Sequence, residues 1–187
     1  NGGLSIFGAV IGGILGIVLY ARINKLNVLR WLDIGAVVVP IGQAIGRWGN
    51  YVNQELYGEP TDLPWGITID NPPIEYAPDT TFHPLFMYES VWNLFTALFL
   101  FTVWVRWRDR LKAGDILLMY LISYPFARFL LEYLRIEVAM VGDFNVSQMF
   151  SLAVAVIAAL VLLGRYRSEI AGFFSRGKSP ENAPAGE

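Results

Sequence analysis

The sequence contains no cysteine, a single histidine and few charges. Without cysteine there is no disulfide framework, no thiolate metal site and no cysteine nucleophile within the chain. The lone His83 argues against a zinc site built from protein ligands alone, and no metal or cofactor is expected. Charged residues make up 16% of the 187, against about 25% in a typical soluble domain. That leaves too little polar surface for a soluble monomer. The net charge of −2 gives no sign of a nucleic-acid partner, and none is expected. The first apolar run lacks a basic segment before it and a small-residue cleavage site, so no secretory signal is visible. The chain starts at Asn1 rather than Met, directly before that run, and reads as a fragment or processed product.

What is present is oil. Hydrophobic residues make up 55% of the chain and the mean hydropathy is +0.45. A helix crosses a hydrocarbon core of about 30 Å in about 17–25 residues. Apolar runs near this length occur at Leu4–Tyr20, Trp31–Ile45, Ser90–Val105, Asp115–Leu134 and Ser147–Gly164. The second and third are short and are expected to extend into their polar flanks or lean on neighbours. The fold class expected is therefore an all-α integral membrane protein, a polytopic bundle of about five transmembrane helices with a small extracytoplasmic cap. The connecting segments alternate in charge. Arg22, Lys25 and Arg30 follow the first span; Arg106, Arg108, Arg110 and Lys112 follow the third; Arg165, Arg167, Arg176 and Lys178 follow the fifth. Between the second and third lie Glu55, Glu59, Asp62, Asp70, Glu75, Asp79 and Glu89 with only Arg47. Cytoplasmic loops carry the basic residues, so the chain is expected to start outside and end inside. Residues 1–166 read as one transmembrane catalytic domain, with the cap at about 54–83 and short strands such as Gly66–Asp70. Residues 167–187 read as a cytoplasmic tail, disordered at its Pro- and Gly-rich end. In the first span, Gly8, Gly12, Gly13 and Gly16 form a small-residue stripe expected to pack closely on another helix.

Polar side chains stand where lipid would disfavour them. Arg47, Asn50, Asn53 and Glu55 leave the second span, and His83, Tyr88 and Glu89 enter the third. Tyr124, Arg128 and Glu132 recur every four residues on the fourth, with Arg135 three further on, which puts all four on one helical face. Arg128 would lie about 10 Å below the span end at 1.5 Å per residue. Intramembrane ionisable residues usually mark a working site. Two ion pairs, Arg128 with Glu132 and Arg47 with Glu55, would hold the bundle together, but pairing alone explains neither the added Asn, Tyr and His residues nor their shared depth. Arginine suits a lipid phosphate, because its fork donates two parallel bonds and keeps its charge when desolvated. His83 fits a general base and a loop-orienting residue equally well. An anion transporter and a non-catalytic scaffold are the alternatives. An enzyme needs both arginines on one cavity, a transporter needs a path through, and a scaffold needs neither. The chain shows no internal repeat of the kind transporters often carry.

The run Gly46-Arg47-Trp48-Gly49-Asn50-Tyr51-Val52-Asn53-Gln54-Glu55-Leu56-Tyr57-Gly58 closely resembles the signature of bacterial prolipoprotein diacylglyceryl transferases. Gly2-Gly3-Leu4-Ser5-Ile6, the His83-Pro84 and Tyr88-Glu89 block, and the Tyr124, Arg128, Glu132, Arg135 face match the family in order, from Asn1 to about Gly164. The resemblance implies transfer of the diacylglyceryl group of phosphatidylglycerol to the lipobox cysteine thiol of a preprolipoprotein. This occurs at the outer face of the bacterial plasma membrane, forms a thioether and releases glycerol phosphate. It implies catalytic roles for Arg47, Arg128, Glu132 and His83. It implies phosphatidylglycerol binding by Arg47, Asn50, Asn53, Glu55, Tyr88, Glu89, Tyr124, Arg128 and Arg135. The partners implied are that lipid, the bilayer and lipobox-bearing signal peptides. The chain departs from the family at Phe7, where many members have a histidine proposed as the base, and in lacking the family's further N-terminal spans.

Overall fold

A computed structural model describes residues 6–70, 72–136, 140–141 and 144–169. The family-like residues Gly2–Ser5 and the tail beyond 169 lie outside these. Among the described residues six α-helices carry the architecture: α1 (Ile6–Ile23), α2 (Val28–Gly46), α3 (Trp48–Val52), α4 (Leu85–Trp107), α5 (Asp115–Leu131) and α6 (Val146–Arg165). Two two-stranded ribbons accompany them, β1 (Ile67–Thr68) with β2 (Thr81–Phe82) and β3 (Met140–Val141) with β4 (Phe144–Asn145), both antiparallel. Local chemistry sets the helix starts. The Asn27 side chain accepts from the Arg30 N–H at 3.2 Å and Asn145 accepts from Gln148 at 3.1 Å, each an N-cap satisfying an orphan donor.

Among the described residues four stretches are long and apolar enough to cross a membrane: Val28–Val52, Leu85–Trp107, Asp115–Leu134 and Val146–Arg165. Among the described residues the first expected span is the shorter α1, 18 residues, or about 27 Å at 1.5 Å per residue. The second and third spans do extend into their flanks, by α3 and by the five residues from Leu85. α2 packs on α4 and α5, and α5 packs most extensively on α6. A core of Ala36, Leu100, Val103 and Ile116 joins α2, α4 and α5. Phe95, Leu98, Phe150 and Leu160 point outward and are exposed, which is the pattern of a lipid-facing wall. The glycine stripe corrects one expectation. A Cβ built at Gly8, Gly12, Gly13 or Gly16 would meet nothing within 4 Å, so the stripe packs on no described helix. α1 meets α2 elsewhere, through Ile17 against Gly35 and Tyr20 edge-on to Trp31.

The two ends of the bundle differ in chemistry. At one end the turn before α5 places Gly114 at φ +93°, a backbone region open to glycine. The buried Asp33 of α2 then accepts from the N–H groups of Gly114 at 2.8 Å and Leu117 at 3.0 Å. One helix thus caps the start of another. Arg30 donates to the Leu111 carbonyl and Arg165 to that of Ala113. Asp115, fully buried, pairs with Arg165 and accepts from the Tyr166 hydroxyl.

The opposite end carries the cap. The Gly58 N–H donates to His83, His83 to Glu59, and Glu59 to Leu134. This strap lies between the entrance to α4 and the 3-10 turn Glu132–Leu134 that ends α5. Phe82, fully buried, takes the rings of Tyr57 and Tyr76 at 5.0 and 5.4 Å. The expected Gly66–Asp70 strand is shorter than read, two residues paired with Thr81–Phe82, because prolines flank it on both sides.

Candidate active site

Arg47 stands at the joint of α2 and α3. Its N–H still bonds to Gln43, so the helical path runs through the arginine instead of ending before it. Its guanidinium is thereby aimed across the bundle. Glu89, on the first turns of α4 and with a side chain only 5% exposed, receives it: Arg47 Nη2 lies 2.5 Å from Glu89 Oε2. Arg128 of α5 takes the other oxygen, Oε1. Arg128 also reaches Glu132 Oε2 at 3.1 Å, and Glu132 Oε1 lies 3.3 Å from Arg135. Arg47 further donates to the Tyr124 hydroxyl at 3.4 Å. The result is one continuous row, Arg47–Glu89–Arg128–Glu132–Arg135, drawn from three helices and the turn after α5. Three guanidiniums against two carboxylates leave it one positive charge in excess.

The row borders a cavity of about 70 Å³, room for about five water-sized groups. Arg47, Asn50, Glu89, Arg128 and Arg135 supply its polar wall; Leu56, Leu85 and Phe86 supply the apolar one. Half-buried arginines beside low-dielectric walls, with surplus positive charge, are chemically suited to hold an anion. Both arginines lie on one cavity, as an enzyme requires and a scaffold does not.

The residues singled out from sequence divide here. Arg47, Asn50, Glu89, Arg128 and Arg135 line the cavity, and Tyr124 and Glu132 touch its arginines. The other four stand off it. Glu55 does not pair with Arg47: it is exposed and accepts from Asn53 at 3.2 Å. The cause is the backbone, since Gln54 and Leu56 at φ +53° and +56° turn the chain between Asn53 and Tyr57. His83 and Tyr88 form a separate cluster, with His83 Nδ1 3.0 Å from the Tyr88 hydroxyl, which accepts from Trp65 at 2.9 Å. Thus His83 sits among cap residues and not against the arginines. Sequence reasoning missed the apolar wall. Leu56 lies inside the signature run, but nothing in its side chain marks it; only its left-handed backbone does.

The family model described as prolipoprotein diacylglyceryl transferase matches residues 1–164. The chain belongs to that family. Among its relatives, the phosphatidylglycerol–prolipoprotein diacylglyceryl transferase of Synechococcus elongatus is 40% identical over 171 residues, covering 89% of this chain and 59% of the relative. That of Gloeobacter violaceus is 42% identical over 164 residues, covering 87% and 61%. That of Thermotoga maritima is 40% identical over 168 residues, covering 88% and 55%. This family member therefore spans about three fifths of the length of the curated relatives it matches.

Proposed function

We propose that this protein, in its complete form, carries out the reaction its relatives are named for. It transfers the diacylglyceryl group of phosphatidylglycerol to a cysteine thiol of a prolipoprotein, the lipobox cysteine. The thiol sulfur attacks the glyceryl carbon that bears the phosphoester oxygen. A C–S bond forms, that C–O bond breaks, glycerol phosphate departs with the electron pair, and the thiol proton is released to water. The observation that carries this reading is the convergence of Arg47 and Arg128 on one cavity with surplus positive charge. Guanidiniums placed there would hold the lipid phosphate and stabilise the charge growing on it as it leaves. The same field favours loss of the thiol proton, whose reference pKa is about 8.5. Asn50 and Tyr124 would orient the head group. Glu89 and Glu132 would keep the arginines spread and extended. Asn53, Glu55, His83 and Tyr88, standing off the arginines, would act from the cap side. The basic residues of the Arg30, Lys112 and Arg165 end belong on the cytoplasmic side of the plasma membrane by the positive-inside rule. The cavity then faces the outer leaflet, and the C-terminus is cytoplasmic.

The test is mass spectrometry of a cysteine peptide incubated with phosphatidylglycerol and the complete protein in proteoliposomes. A thioether adduct is expected. Arg47→Ala and Arg128→Ala, inserted normally, should each lower its rate by about 10²-fold or more. Full activity in either variant overturns the reading.

A further inference from the structure

A second cavity, of about 340 Å³, opens in the cap against the first. The two share Leu56 and Arg135 as a common wall. Resting on the transferase reading, we propose that this cap cavity is the acceptor subsite. There an extended polypeptide segment next to the reactive cysteine docks while the lipid phosphate occupies the arginine cavity.

Its walls fit a peptide and not an acyl chain. Tyr57, Pro73 and Ile136 give apolar surface, whereas Glu55, Gln54 and Arg135 give polar and charged surface. A hydrocarbon tail would strip water from the two charged groups at a cost in free energy. Gln54 is fixed by a paired contact, accepting from the Asp70 N–H at 2.7 Å and donating to its carboxylate at 2.8 Å. The wall is therefore held in shape before any ligand arrives. Among the described residues the N–H groups of Leu56 and Tyr57 meet no acceptor. Both residues line the cavity, and an extended peptide laid along them would pair with these groups in the manner of strand addition. Two non-glycine residues at positive φ, Gln54 and Leu56, sit in sparsely populated backbone territory that persists only where the surroundings enforce it. Here that strain puts Leu56 between the two cavities. The larger volume lies at the low end of the range for ligand sites and exceeds what a glycerol head group needs. A two-substrate transfer requires adjoining pockets, and the shared wall brings this one to the arginines.

Filling the cavity from two independent elements tests this. In the complete protein in proteoliposomes, Pro73→Trp and Ile136→Trp should each raise KM for a cysteine peptide about tenfold or more. The KM for phosphatidylglycerol and the rate at saturating peptide should stay within about twofold. Independently, a photoreactive phenylalanine analogue at position 73 or 136 should crosslink the peptide, with excess unlabelled peptide competing. Unchanged peptide KM in both variants without crosslinking overturns the subsite. So does a rise confined to the KM for the lipid, which would assign the cavity to the donor head group. Absence of thioether in the unsubstituted protein counts instead against the transferase reading.

Discussion

Glu89 is the carboxylate on which the two central arginines depend, so replacing it by glutamine perturbs the arrangement most. Glutamine keeps the volume and removes the charge shared by Arg47 and Arg128. The row then holds three guanidiniums and one carboxylate, and Arg47 loses its only carboxylate among the described residues. Removing one partner of a buried pair costs about 3–5 kcal/mol. Because Arg47 and Arg128 remain 22% and 21% exposed, water relieves part of this, and a loss of about 3 kcal/mol is expected. With the scaling of soluble domains this size, that lowers Tm by roughly 6–12 °C. Tryptophan fluorescence during heating in nanodiscs measures it, since Trp48 lies next to Arg47 in the chain. The control is Glu55→Gln, an exposed residue whose side chain, among the described residues, bonds only to Asn53, and whose effect should stay within about 0.5 kcal/mol. Anionic phospholipid should recover more of the loss in Glu89→Gln than it adds to the unsubstituted protein, because the cavity then carries an extra uncompensated charge. A Glu89→Gln midpoint within about 2 °C of the unsubstituted protein, or an equal fall in Glu55→Gln, refutes the reasoning.

Three further outcomes follow from other parts of the structure. At Gly58 a Cβ would lie 2.6 Å from the Leu134 carbonyl oxygen and 2.9 Å from the His83 Cβ, whereas at Gly49 it meets nothing within 4 Å. Gly58→Ala should therefore destabilise by about 1–3 kcal/mol and Gly49→Ala by less than about 0.5 kcal/mol, as read by thermal melts. Asn93 is 1% exposed and among the described residues neither amide atom has a partner, a penalty of about 1–3 kcal/mol. Asn93→Leu should leave Tm unchanged or raise it, and a clear fall contradicts this. Burial, and then its hydrogen bond to Asp115, raise the pKa of the Tyr166 phenol. Its contribution is thus fully present below the ordinary value of about 10 and is lost as pH rises through the higher folded value. Stability should fall above about pH 10, and Tyr166→Phe should flatten that fall; an unchanged alkaline slope in the variant contradicts it.

The legible part of this protein was what a bilayer makes expensive. Arg47 and Arg128 stood out because a guanidinium in an apolar run needs a reason, and the four-residue spacing on the fourth span placed Tyr124, Arg128 and Glu132 together correctly. Which glutamate would serve which arginine was not legible. Glu55, Glu89 and Glu132 are chemically alike, and the choice fell to backbone geometry: continuation of α2 through Arg47, and left-handed turns at Gln54 and Leu56 that send Glu55 to the surface. His83 and Tyr88 were near in sequence to Glu89 but were drawn aside by Trp65, a partner 23 residues from Tyr88. The glycine stripe of α1 reads as a packing face, yet no described helix meets it.

The central claim is that Arg47 and Arg128 grip one phosphate together. Solid-state NMR of the complete protein in phosphatidylglycerol bilayers, with arginine guanidinium nitrogens labelled, measures the distance from each to lipid phosphorus. Charge-assisted bonds place phosphorus roughly 4 Å from the donating nitrogens. Dephasing by phosphorus should appear in the unsubstituted protein and fall by one share in Arg47→Lys and by another in Arg128→Lys. Dephasing that persists unchanged when either arginine is replaced, or that is absent from the start, contradicts the account.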